Sequence, residues 1–382
     1  MDCNAGPWRF IPISAAIAVT IVLGFVAGCG SETKSGPLSA DEVSAAKPNG
    51  QTQPTGMLVA AHESKSEPFE LPPAAAGASP RYLIVHADDA GMCHSVNRAT
   101  IEAMEKGIVS SVGIMVPCPA FEEFAEYARE HPERDFGVHL TLNAEFKTYR
   151  WGPVLSPDEV PSLVNSDGHL WQTEEETVAN ARADDVEREL TAQIDRALQF
   201  GVPVSHLDTH MGTVFRRLDF LEIYVNLGMK YNVPILFVRN TRSLASNDFP
   251  TAAGFGSRAR DVIEALDEDH LPVLDDLFMH YVVDSPRQRQ NHYVNVFRRL
   301  RPGVQQLIVH CGYRDAELGE ITGSYGMRDG DRRFVIDPAT AREIERLGIQ
   351  IIDWKKFRTI SSETEKERAN PENGSRKERH NS

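Results

Sequence analysis

The stretch that decides the fold is Arg81-Tyr82-Leu83-Ile84-Val85-His86-Ala87-Asp88-Asp89-Ala90-Gly91. Its apolar run at 82–87 is short and rich in Leu, Ile and Val, which predicts a strand buried on both faces. The run ends in an imidazole, two adjacent carboxylates and a glycine. A helical pattern follows at 95–106, stopped by Gly107. Strand, polar turn, helix: this is one βα unit with reactive side chains at the carboxyl end of its strand.

The same grammar recurs outward. Candidate strands lie at 82–87, 112–116, 137–142, 204–208, 235–238, 278–282, 307–310 and 350–352. Helical segments separate most of them. That at 184–200 carries Val186, Leu190, Ile194 and Leu198 at spacings of four and stops at Gly201, and that at 338–347 stops at Gly348. Alternation of this kind means a mainly parallel sheet. Eight candidate strands predict a single α/β domain, a closed or distorted (β/α)-barrel with long loop insertions. An open doubly wound sheet is the alternative, and no glycine-rich phosphate fingerprint supports it. Three connections are long, at 143–183, 240–260 and 314–334, as in functional walls and lids. The first holds Tyr149, Trp151 and Trp171, whose faces suit stacking on sugar rings or local loop packing.

Metal-competent residues sit at or near the ends of separate strands: His86, Asp88 and Asp89; His139; His206, Asp208 and His210; His310; and the fifth strand ends in the polar Arg239. In a barrel, loops after different strands meet at the carboxyl face. Two neighbouring carboxylates repel unless a cation or a shared proton relieves them. One carboxylate with two imidazoles makes a site for a divalent ion that keeps positions open for water. Such an ion generates hydroxide near neutral pH and polarises carbonyls.

At these residues the sequence resembles the YdjC/ChbG/HpnK carbohydrate deacetylases. The blocks H-A-D-D-A-G-M, V-N-R, G-I-V-S-S, P-A-F and G-V-H-L-T-L between Leu83 and Leu142 carry the likeness, and H-L-D-T-H and H-C-G-Y continue it to about Trp354. The resemblance implies a distorted barrel, one divalent metal ion (zinc or magnesium) and removal of N-acetyl groups from amino sugars. It implies Asp89, His139 and His210 as metal ligands, Asp88 as catalytic base and His310 as general acid. The first shell rich in nitrogen favours zinc slightly. The family usually has Asn at His86, Phe at Ala90, Pro at Cys311 and a histidine-rich stretch where Met211-Gly212-Thr213 stands. Arg239 is read as orienting Asp88 or pairing with another carboxylate. Asp208 is read as the partner of a ligand imidazole, His206 as structural and His280 as a strand-end residue. A binding-only relative of the same fold, or a barrel metalloenzyme of another class, is the competing reading.

Before the barrel, Arg9 precedes an apolar run at 11–26 closed by Val26-Ala27-Gly28-Cys29. The run is short for a membrane span and suits a signal peptide. Small residues directly before a cysteine resemble a lipoprotein cleavage box, an ordinary cleaved signal being the other reading. The expected organisation is a signal peptide over 1–28, lipidated Cys29 and a flexible tether over 29–79, the catalytic barrel over 80–356 and a disordered charged tail over 357–382. Cys29 would anchor the protein in a bacterial cell envelope on the extracytoplasmic side. Cys93, Cys118 and Cys311 remain, with no C-x-x-C spacing and no disulfide framework. With 382 residues, 41% hydrophobic, the chain can bury a full core. Its net charge of −15 argues against duplex nucleic acid as a partner.

Overall fold

The computed structural model describes residues 80–240 and 255–369. The expected signal peptide, Cys29 and the tether lie outside the described residues. No described helix is long and apolar enough to cross a membrane.

Seven strands form one parallel sheet: β1 (Arg81–Ala90), β2 (Ser111–Ile114), β3 (Phe136–Leu140), β4 (Val204–Thr209), β5 (Asp276–Met279), β6 (Gly303–Val309) and β7 (Ile349–Ile351). Their order is β4-β3-β2-β1-β6-β5, with the short β7 pairing only the start of β1. Two parallel bridges, Leu207↔Ile235 and Val238↔Leu274, carry the pairing from β4 to the entrance of β5. The ring of hydrogen bonds therefore closes, and the sheet is a distorted barrel. Each of the eight expected strands has a counterpart, but the one at 235–238 pairs through those bridges alone. Pro234 opens it and lacks an N–H, which limits the ladder it can sustain.

Helices cover the barrel as the periodicity predicts, including His94–Lys106, Ala183–Gln199 and Pro338–Arg346. On Ala183–Gln199, Val186, Leu190 and Ile194 are fully buried as expected, but Leu198 is exposed and Ala197 takes the last buried place, because about 3.6 residues per turn carry a strict four-residue spacing off the face. Two expectations change. The connection at 314–334 is not a loop: it contains the helices Ala316–Ile321 and Tyr325–Ile336. The charged tail is helical over Trp354–Ala369, because Trp354, Phe357 and Ile360 recur at three-residue spacing and dock on the core. Residues 370–382 lie outside the described residues. The connection at 143–183 holds the 3-10 turn Pro161–Leu163 and the helix Glu174–Asn180, the latter fixed by a Thr173–Glu176 capping box.

The sheet carries two irregularities that matter. Along β1, Ala87 pairs with Val112 while Ala90 pairs with Ile114, so one extra residue is accommodated at Asp88-Asp89. Asp89 takes the left-handed conformation, with φ of 69°. Such a bulge re-aims side chains, and here it lets two consecutive carboxylates reach one site. Along β4, the register shifts between the Phe136↔Val204 and Val138↔Leu207 pairs, which leaves His139 opposite Asp208.

Candidate active site

Asp89, His139 and His210 converge. Asp89 Oδ1 lies 3.5 Å from His139 Nε2 and 3.3 Å from His210 Nδ1. All three residues are buried, and their donor atoms lie within 4.8 Å of one another. Asp89 Oδ1 is buried without a hydrogen-bond partner. A carboxylate oxygen left unpaired between two ring nitrogens, each too far for a good hydrogen bond, is the spacing of ligands around one cation rather than of a closed polar cluster. The donor set therefore fits a divalent ion.

Each imidazole is backed by a carboxylate. His139 Nδ1 lies 2.9 Å from Asp208 Oδ1, as expected for Asp208. His210 Nε2 lies 3.0 Å from Glu145 Oε2. Such partners fix which ring nitrogen faces an ion. Burial disfavours charge on both rings, yet the carboxylates outweigh it. Asp208 and Asp88 hold His139 well above the ordinary histidine range, and Glu145 and Asp89 raise His210 to about 9. An incoming cation must therefore displace protons from both rings.

Asp89 Oδ2 faces the other way. It accepts from Arg328 Nη2 at 2.7 Å, a fully buried guanidinium on the helix Tyr325–Ile336. Burial alone would raise the Asp89 carboxyl, but Arg328 and the two histidines hold it well below the usual carboxylate range.

Asp88 stands beside the trio, between His139 and His310. Its Oδ2 is 3.9 Å from His139 Nε2 and 3.8 Å from His310 Nε2. His310 follows β6, and its backbone N–H donates to Asp331 Oδ2 at 2.9 Å. Asp331 is fixed in turn by Arg289 and the Tyr293 hydroxyl. Burial pushes His310 below its ordinary pKa, with Asp89 and Asp88 only partly opposing.

Room for these rings comes from two glycines. A Cβ at Gly113 would stand 2.7 Å from Asp208 Oδ2 and 3.1 Å from His139 Nδ1. One at Gly137 would sit 2.4 Å from His206 Nε2. His206 is stacked on Trp354 with centroids 5.0 Å apart. His280 bonds Asp284 and stacks on His292, apart from the trio.

The family model for YdjC-like proteins matches residues 82–346. The chain belongs to the YdjC-like family. A carbohydrate deacetylase of Geobacillus stearothermophilus is 29% identical to this YdjC-like protein over 279 residues, 73% of the chain and 98% of that protein. One from Thermoanaerobacter pseudethanolicus is 26% identical, over 67% and 91%. A proposed cellobiose-phosphate cleavage protein of Enterococcus faecalis V583 shares the fold with a TM-score of 0.60 at 24% identity, covering 73% of this chain and 99% of its own.

Other expected residues fall differently in this YdjC-like protein. Arg239 does not reach Asp88: its guanidinium grips exposed Asp267 on the helix Phe255–Glu268. A position at a strand end does not decide where a long side chain goes, and the adjacent helix offers Arg239 a nearer carboxylate. Trp151 is buried, with its ring 6.3 Å from His210 and its indole N–H on the Asn143 carbonyl, so it packs behind His210 rather than offering an open face. Tyr149 donates to the Met92 carbonyl and Trp171 to that of Ser162. Both are half-buried and serve loop packing. The aromatic ring at the rim is instead Tyr281, 46% exposed and edge-on to His310 at 4.9 Å. Cys93, Cys118 and Cys311, the cysteines among the described residues, are free and buried.

Sequence reasoning missed Arg328, Glu145, Asp331 and Tyr281. Glu145 had a signal, an acidic residue six positions beyond His139 in a loop over the site. Arg328 had none, because its segment reads as a loop.

Proposed function

We propose that this YdjC-like protein is a metal-dependent carbohydrate N-deacetylase that removes acetyl groups from amino-sugar units of oligosaccharides or glycoconjugates. The observation that carries the reading is the position of Asp88 Oδ2, between a ligand histidine, His139, and a second buried histidine, His310. The activity in the names of the two bacterial relatives supports it.

Asp89, His139 and His210 would hold the ion, with two nitrogen donors favouring zinc over magnesium. When bound, it supplies a Lewis acid that activates water and polarises the amide carbonyl. Asp88 Oδ2 accepts the proton of the attacking water. The acetyl carbonyl carbon becomes tetrahedral, and its C–N bond then breaks. His310 delivers a proton to the departing nitrogen, leaving acetate and a free amino sugar. Burial weakens the hold of His310 on that proton, which suits a group that must give it away. Its 3.8 Å separation from Asp88 Oδ2 lets one small movement pass the proton between them. Tyr281 is placed to cover the sugar ring on the His310 side.

Base, acid and donor trio occur together, so no feature of the site favours the binding-only alternative. Acetate release from a panel of N-acetylated mono- and oligosaccharides, with metal analysis of the same sample, tests the reading. Release that stops on chelation and returns with zinc or magnesium supports it. Stoichiometric metal with no release from any sugar rejects it.

The small-residue box before Cys29 supports a lipid anchor in the bacterial cell envelope, on the extracytoplasmic side, with an acetylated sugar as substrate there.

A further inference from the structure

The mechanism above leaves one buried titratable group unused. His86 is fully buried on the bulged strand β1, three residues before Asp89. Its Nε2 lies 2.7 Å from Asp208 Oδ2 in a hydrogen bond and 3.2 Å from Asp88 Oδ1. Its Nδ1 lies 2.9 Å from Ser111 Oγ. The Ser111 hydroxyl donates its only hydrogen to Asp135 Oδ1 at 2.7 Å, so a lone pair is what it offers the ring. Both ring nitrogens therefore face acceptors, and both carry hydrogen: the geometry is that of an imidazolium between two carboxylates.

We infer that His86 is a positioning residue that sets which oxygen of Asp88 does the chemistry. Asp88 and Asp208 are two buried anions on one small site, and like charges so placed repel unless a cation lies between them. His86 is that cation. It draws Asp88 Oδ1 to the rear, where that oxygen has no directional hydrogen bond of its own. The carboxylate plane is thereby fixed with Oδ2 forward, facing His139 and His310. Asp208 meets His86 through Oδ2 and stands beside His139 Nδ1 through its other oxygen, Oδ1, so the two contacts are made by different atoms. The strength of the carboxylate pairing agrees: burial opposes charge on His86, yet Asp208 and Asp88 raise it to about 9.

This assignment rests on the deacetylase reading for its kinetic consequence, but not for its geometry. The test compares His86→Leu, which keeps bulk without charge, with His86→Gln, which keeps a neutral donor. Bound metal, kcat and KM for acetate release, and crystal structures of both variants are measured. The expectation is parental metal content, KM within about threefold, kcat down at least tenfold in both variants, and an Asp88 carboxylate turned from its parental plane. Should one variant fail to fold, the other reads the same quantities. Loss of metal in either would place His86 in ligand support and overturn the inference. Asp88 in its parental plane with kcat unchanged would also overturn it, and so would full recovery in His86→Gln, since charge would then be dispensable. A parent that releases acetate from no sugar rejects the function, while the plane of Asp88 in the variants still decides the role of His86.

Discussion

Replacing Arg328 with Met should lower the stability of the metal-free protein and make stability depend more strongly on a cation at a site the arginine never enters. The Asp89 carboxylate is divided, Oδ2 on Arg328 at 2.7 Å and Oδ1 facing His139 and His210. Both Arg328 and Asp89 are buried, with side-chain exposures of 2% and 3%. Removing one partner of such a pair costs about 3–5 kcal/mol, because the other charge is left without compensation. A large domain shifts its Tm by about 2 °C per kcal/mol, so the metal-free variant should melt about 6–10 °C below the parent. A cation at Oδ1 supplies the missing positive charge, so adding zinc should raise the Tm of Arg328→Met by more than it raises that of the parent. Calorimetry of chelator-treated and zinc-loaded samples measures both effects. A metal-free variant within about 2 °C of the parent would refute the shared-carboxylate argument, and so would a zinc shift smaller than the parent's.

Three further outcomes are expected. Asp88→Asn should keep its metal and fold but lose turnover by about a hundred- to ten-thousand-fold, since an amide cannot accept the proton of water; loss of metal in this variant would instead make Asp88 a ligand. Glu145→Gln should weaken metal affinity about 10–100-fold by releasing the Nε2 side of His210, which competition with a chromophoric chelator reads directly, and unchanged affinity removes Glu145 from the site. Cys29→Ser should move the protein out of the membrane fraction, because lipid burial contributes about 0.8 kcal/mol per methylene; unchanged partition rejects the anchor.

The barrel was legible because each buried parallel strand leaves a short apolar run, and three of the helices between them are stopped by Gly107, Gly201 and Gly348. A cluster of metal-competent residues at the carboxyl face was legible because strand ends are fixed by topology, and the resemblance to the carbohydrate deacetylases singled out Asp89, His139 and His210 within it. What sequence could not carry is the direction of long side chains and the partners supplied from elsewhere. Arg239 sits at a strand end and turns away to Asp267, while Arg328 sits 239 residues beyond Asp89 in a segment that reads as a loop. Polar composition misled in the tail, where the docked Trp354, Phe357 and Ile360 hold a helix otherwise rich in polar and charged residues. The bulge at Asp88-Asp89 was invisible too. Alternation along a strand sends neighbours to opposite faces, and only the register slip shows how both acids serve one site.

The glycines at 113 and 137 bear on any attempt to move this chemistry into another protein. Copying Asp89, His139, His210 and their carboxylates onto a regular barrel would fail at β2 and β3, where side chains normally fill the interior in layers. Here those two positions are kept empty, and the hollow is occupied by the rings of His139 and His206 and the carboxylate of Asp208. The transplant must therefore carry vacant places as well as ligands, and a host with Val or Ala at either position would push the imidazoles aside before any ion arrived.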